Sequence, residues 1–190
     1  MDDSMLSAAL GSAGLTYLGL VDPTEPLIPP DLAGFIVNCD DAYVFFADGV
    51  DLDDPRLAAR LNESWRRGAE AAGLLGGAPF LLGVAQGAGA GSGHRTWARV
   101  TLTEPWDLAG APPGPLGHGP GRPTFVMLSA DGEGILRMSY GEVMGECTVV
   151  RGPARVPVLR AHAERMLGRA RLDPFTRSAV ERWLAAHPTP

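Results

Sequence analysis

Six residues of this chain have side chains suited to a small-ligand site: His94, Arg95, Trp97, Trp106, His118 and Arg122. They lie in or beside two stretches of loop composition, 86–95 and 105–123. Imidazoles exchange protons near neutral pH, guanidinium groups clamp carboxylates or phosphates with paired hydrogen bonds, and indoles offer flat walls for stacking. Loops held on a rigid scaffold are where such groups converge. This defines one functional expectation, an enzyme or ligand-binding domain with its site between the two loops. No spacing among the six identifies a reaction, so catalytic residues stay unassigned.

Other chemistries fail on spacing. The run Gly87 to Gly93 follows a strand-like segment, where phosphate loops occur, but counting the dinucleotide pattern from Gly87 or Gly89 lands on Ser92 or His94 where a glycine is needed. The nucleotide-triphosphate loop needs a lysine, and the chain has none. Residues Gln86 to Gly91 resemble the Q-x-x-G-x-G pattern of acyl-CoA-binding acetyltransferases over six positions. That resemblance implies a helix after the glycines, whereas the residues that follow read as a strand. A linker or hairpin tip is the preferred reading. Cys39 and Cys147 form neither a zinc spacing nor a disulfide framework, and the acids beside Cys39 disfavour its thiolate. No serine elbow is present, and the acids of residues 48–54 lack the calcium-loop order. No metal or cofactor is therefore expected.

Charge supplies the second expectation. The first 55 residues hold eleven acids and no cation, whereas the rest carries 16 Arg against eleven acids. A net charge of −6 argues against a nucleic-acid binder, for which phosphate neutralisation dominates affinity. Arginine as the sole cation reads as the codon bias of a GC-rich bacterial genome. The acidic front and the Arg-rich rear are complementary, which suits pairing within one molecule or between two. Asp40, Asp41, Asp51 and Asp53 on one side, and Arg177 and Arg182 on the other, are the residues expected to meet a partner. That partner is another protein or a second copy in a homodimer.

These residues need elements to hold them. Residues 3–10 read as a helix and Leu15 to Leu20 as a strand; the prolines of 22–30 make loop. Gly34 to Cys39 and Ala42 to Ala47 are apolar, β-rich runs around Asp40-Asp41, predicting a hairpin. Asp54 and Pro55 open a helix whose stripe is Leu57, Leu61, Trp65, Ala69 and Ala72, ending near Gly73. Strands are predicted at 80–84, 96–102, 125–128, 135–140 and 147–150. Pro157 and Asp173-Pro174 open two closing helices.

The expected fold is α+β: a mainly antiparallel sheet of about six to eight strands with helices packed on one face. The whole chain, 1–190, reads as one domain, with a core over about 12–150 and a C-terminal helix pair over 157–187. The uncharged stretch Ala71 to Gly93 is broken by glycines and Pro79, so it is not a membrane span, and the acidic amino terminus is no secretory leader. The preferred function is a small cytoplasmic protein-binding or regulatory module (an adaptor, chaperone-like or immunity-type protein), with the ligand-binding loops as the alternative.

Overall fold

Strand-forming residues alternate sides, so an antiparallel sheet covered on both faces needs two sets of apolar neighbours. The computed structural model, which describes residues 2–86 and 94–188, shows that arrangement. The elements run α1 (Asp3–Gly11), β1 (Leu15–Leu20), α2 (Pro30–Ala33), β2 (Val44–Asp51), α3 (Leu57–Ala71), β3 (Phe80–Gln86), β4 (His94–Leu102), β5 (Phe125–Leu128), β6 (Gly134–Tyr140), β7 (Met144–Arg151), α4 (Pro157–Leu167) and α5 (Pro174–Ala186). The seven strands form one antiparallel sheet in the order β1-β4-β3-β5-β6-β7-β2, leaving β1 and β2 as its edges. The α+β class and the terminal helix pair are as expected.

Alternate residues of the central strands enter separate cores. Leu82, Ala98, Met127 and Val149 face α1 and α3, with Leu10, Leu61 and Trp65. Leu81, Trp97, Val126 and Val150 face α2, α4 and α5, with Leu159, Val180 and Trp183. The helical cover thus extends to a second face, with the α4–α5 pair on the side opposite α3. Each fully buried large side chain contributes roughly 1.5–3 kcal/mol, which makes Trp65 and Trp183 central to their layers.

Two local expectations are corrected. Gly34–Asn38 is a 3₁₀ turn and Asp41–Tyr43 another, so the first strand of the expected hairpin is absent and only β2 is extended. Apolar content there serves packing: Ile36 is fully buried and Phe35 stacks on His162 of α4 at 3.6 Å between ring centres. The helix α3 begins at Leu57 with Arg56 at its cap; Asp54 Oδ1 instead accepts the Arg56 amide at 2.7 Å in the turn ahead. At α5 the same dipeptide device works as expected, with Asp173 Oδ1 accepting the Thr176 amide at 2.9 Å.

The stretch 105–123 has no helix or strand, yet many of its backbone amides are hydrogen-bonded. Asn62 of α3 accepts the amides of Leu108 and Ala109 at 3.1 and 2.9 Å and donates to Asp107 at 2.6 Å. The Thr124 amide returns to Leu116 O, the Gly121 amide to Ala109 O, and Leu108, Ala109 and Leu116 are buried under α3. This long loop is a built wall.

Candidate functional site

The sheet splits at its middle. β3 pairs with β5 only at Leu81↔Leu128 and Leu82↔Met127, whereas it follows β4 out to Gln86↔His94. The far half of β3 therefore has no neighbour on the β5 side. Gly83 stands where the strands part, and a side chain there would meet the Val126 and Pro30 side chains at 2.8 and 3.0 Å, so these close over the backbone at the root of the split.

Two hollows lie at the mouth. One, about 430 Å³, lies between Val84, Ala85 and the wall residues Pro113, Pro115 and His118. The other, about 210 Å³, lies between Asp31, Phe35, Asn38 and Arg137. Arg95 and Thr124 line both. Arg95 and His118, one from each of the two expected loop regions, line the same hollow. Residues 87–93, which contain the glycine run, lie outside the described residues.

The six residues of the ligand reading are divided. His94 lies against Phe175 of α5, ring centres 3.9 Å apart, and does not line either hollow. Trp97 is buried in the α4–α5 core, its indole N–H donating to Ile28 O at 2.7 Å. Trp106 packs edge-on to Trp65 at 4.9 Å on the opposite face and donates to Glu104 at 3.0 Å. Arg122 lies 5.6 Å from the Tyr140 ring centre, near His118 at 6.4 Å from the same ring. Arg137, Asp31 and Asn38 are the polar residues that sequence reasoning missed. The signal for Arg137 was visible in β6, where it is the sole charge in a largely apolar strand.

Electrostatics single out Arg137. Burial, and after it the positive charge of Arg95, pull its guanidinium below the ordinary value, against a smaller pull upward from Glu146. Its Nη1 donates to Gly34 O. Burial raises the Asp31 carboxyl above its ordinary value, opposed by Arg95. Among the described residues neither Arg95 nor Arg137 has a carboxylate within 4.0 Å.

A second surface lies at the β2 edge. Val37, Tyr43, Phe45, Val143 and Met144 are exposed along it, Val143 at 72% and Phe45 at 56%, with the Arg151 guanidinium 3.9 Å over the Phe45 ring. A groove of about 330 Å³, lined by Val37 and Met144, runs between Cys39, Asp41, Ala47 and Glu146. Asp40, Asp41, Asp51 and Asp53 are all exposed around it, and Asp51 Oδ1 accepts the Asp53 amide at 2.9 Å. Among the described residues none of these four has a cation within 4.0 Å, nor do Glu142 and Glu146.

The Arg residues expected to meet a partner are spent internally. Arg177 donates to Leu167 O and Arg169 O at 2.9 and 3.0 Å, closing the end of α4. Arg182 donates to Pro23 O. Arg165, Arg169 and Arg171 are the exposed guanidinium groups of that corner.

Both thiols are set against nucleophilic work. Burial, and then Asp40, push Cys39 up to about 11, and burial above all pushes Cys147 to about 12. Among the described residues no three His, Cys, Asp or Glu side chains are grouped to hold a metal ion, and no helix is long and apolar enough to cross a membrane. Searches against protein-family models, curated proteins and solved structures find no match to this chain.

Proposed function

We propose that this chain is a protein-binding module that pairs with a second copy of itself, through the acidic apolar face at β2 and the arginine corner of α4 and α5. The reading rests on one observation: exposed apolar side chains along the β2 edge, Phe45 under the Arg151 guanidinium at one end and Met144 with Val143 beside Asp51 at the other, amid acids without ion-pair partners among the described residues. An apolar centre with a charged rim is the usual anatomy of a protein interface, and charge then selects the partner. The edge strand adds unpaired backbone groups on one side of β2.

Arg165, Arg169 and Arg171 supply the matching charge. They belong to the same side of the molecule, since Ile36 lines the acidic groove and the adjacent Phe35 stacks on His162 of α4. Two patches on one side allow each to meet the other's counterpart about a two-fold axis, a contact that closes at two chains. The proposed setting is a soluble, cytoplasmic one.

Light scattering across a concentration series at low and high salt tests this. The expected mass at low salt is twice 20.0 kDa, falling toward one chain as salt rises. Phe45→Asp and Val143→Asp should each leave a folded monomer. A single-chain mass at every concentration, or a dimer indifferent to both substitutions, would refute the pairing.

A further inference from the structure

The arginines at the split sheet carry a separate inference, independent of pairing at β2. We infer that the mouth between β3 and β5 is a binding site for a small organic carboxylate with an apolar body, its carboxylate held by Arg95 and Arg137.

Two guanidinium groups line one hollow, with no carboxylate in ion-pair contact among the described residues. Like charges in a half-buried recess repel, and an anion placed between them removes that cost. Each guanidinium presents a planar fork that matches a carboxylate. Arg137 is held in place by its bond to Gly34 O, so part of the ordering has already occurred in the empty protein.

Asp31 narrows the ligand's charge. It shares the hollow with both arginines, leaving a surplus of one positive charge. A monoanion balances that surplus, whereas a phosphate dianion would bring its second charge toward Asp31. The second hollow describes the rest of the ligand. It shares Arg95 and Thr124 with the first, and its other sides include Val84, Ala85, Pro113 and Pro115. Its volume of about 430 Å³ falls within the range of small-molecule pockets, and apolar walls with a few polar anchors are their common composition. His118 stands along this arm, where it would meet the ligand's body rather than its charge.

Calorimetric titration with hexanoate tests the inference, with hexan-1-ol and inorganic phosphate as comparison probes. Hexanoate is expected to bind the native protein more tightly than either. Arg95→Gln should weaken hexanoate about tenfold or more, as for loss of a charge-assisted bidentate contact, and Arg95→Lys should restore part of the loss. Arg137→Gln should do the same; should it fail to fold for want of the Gly34 bond, Arg95→Gln decides alone, since the Arg95 side chain makes no hydrogen bond to any described residue. No heat with hexanoate at about 10 mM would overturn the site, as would hexanoate binding unchanged in Arg95→Gln. Equal binding of hexan-1-ol would overturn the role of the carboxylate, and tighter binding of phosphate would overturn the assigned class.

Discussion

Arg99 of β4 donates to Glu25 across 2.7 Å, so the acidic front of the chain does meet arginine within the molecule. Arg67 with Asp48 and Arg60 with Asp54 repeat the pattern at α3. The three pairs lie at the surface, with the Arg99 and Glu25 side chains 48% and 36% exposed. Exposed pairs contribute roughly 0–1 kcal/mol each, because water screens them and ordering two long side chains costs entropy. Glu25→Gln should accordingly lower unfolding stability by no more than about 1 kcal/mol in urea titration. A larger loss would mean that this pair fastens the loop to the sheet.

Gly14 should matter more than any of these charges. Its φ is +80°, and an added side chain would stand 2.6 Å from the backbone of Trp106, within the turn that anchors the long loop. Strained backbone and steric conflict add, so Gly14→Ala should cost on the order of 2–4 kcal/mol. Gly19 offers the comparison: its φ is +120° but nothing lies within 4 Å, and Gly19→Ala should cost about 1–3 kcal/mol from backbone strain alone. Urea midpoints of the two variants should separate in that order. The reverse order would show that the wall yields around Trp106.

The pattern of legibility in the sequence follows from the range of the interactions. Strands β1 and β5, the helix stop at Gly73 and the Asp173-Pro174 cap depend on neighbours a few residues apart, and their reading from sequence agrees with the structure. Gly34 to Asn38 has the composition of a strand, but its apolar side chains pack on α4, more than a hundred residues away, and that contact decides its shape. The long loop's order was hidden likewise, because Asn62 reaches across 46 residues to hold Leu108. The split that creates the cleft is a matter of register between β3 and β5, which residue types do not encode. Arg95 was therefore readable as a loop residue, and its meeting with Arg137 was not.

Thiol chemistry supplies a third expectation. Cys39, pushed up to about 11 by burial and Asp40, and Cys147, pushed to about 12, are protonated at neutral pH. In the folded protein neither should react with a disulfide reagent at pH 7.5 on the timescale of a free cysteine, and denaturant should release two thiols. As pH rises, Cys39 should react first, since it is partly exposed while Cys147 is buried against α3. Rapid labelling at neutral pH would contradict the closed packing around the 3₁₀ turn.

Acid sensitivity should begin at His162. Burial, and then the charges of Arg169 and Arg165, hold its imidazole below the usual value, and its ring stacks on Phe35 from the facing turn. The unfolded chain then takes up a proton more readily than the folded one. This contribution to stability is complete above about pH 6.5 and is lost as pH falls through the interval down to the lowered folded value. Asp22, Asp131 and Asp173 also lie below their ordinary values, but their stabilisation is lost only as pH falls below about 4. Asp31, raised by burial, has the opposite sign: its contribution is present below about 4 and lost as pH rises through its folded value. His162→Phe keeps an aromatic ring over Phe35 and removes the titration. Between about pH 6.5 and 5 the urea midpoint of the native protein should fall, while that of His162→Phe should stay nearly flat. Parallel slopes in the two proteins would place the acid-sensitive group elsewhere and leave the Phe35–His162 stack a packing contact alone.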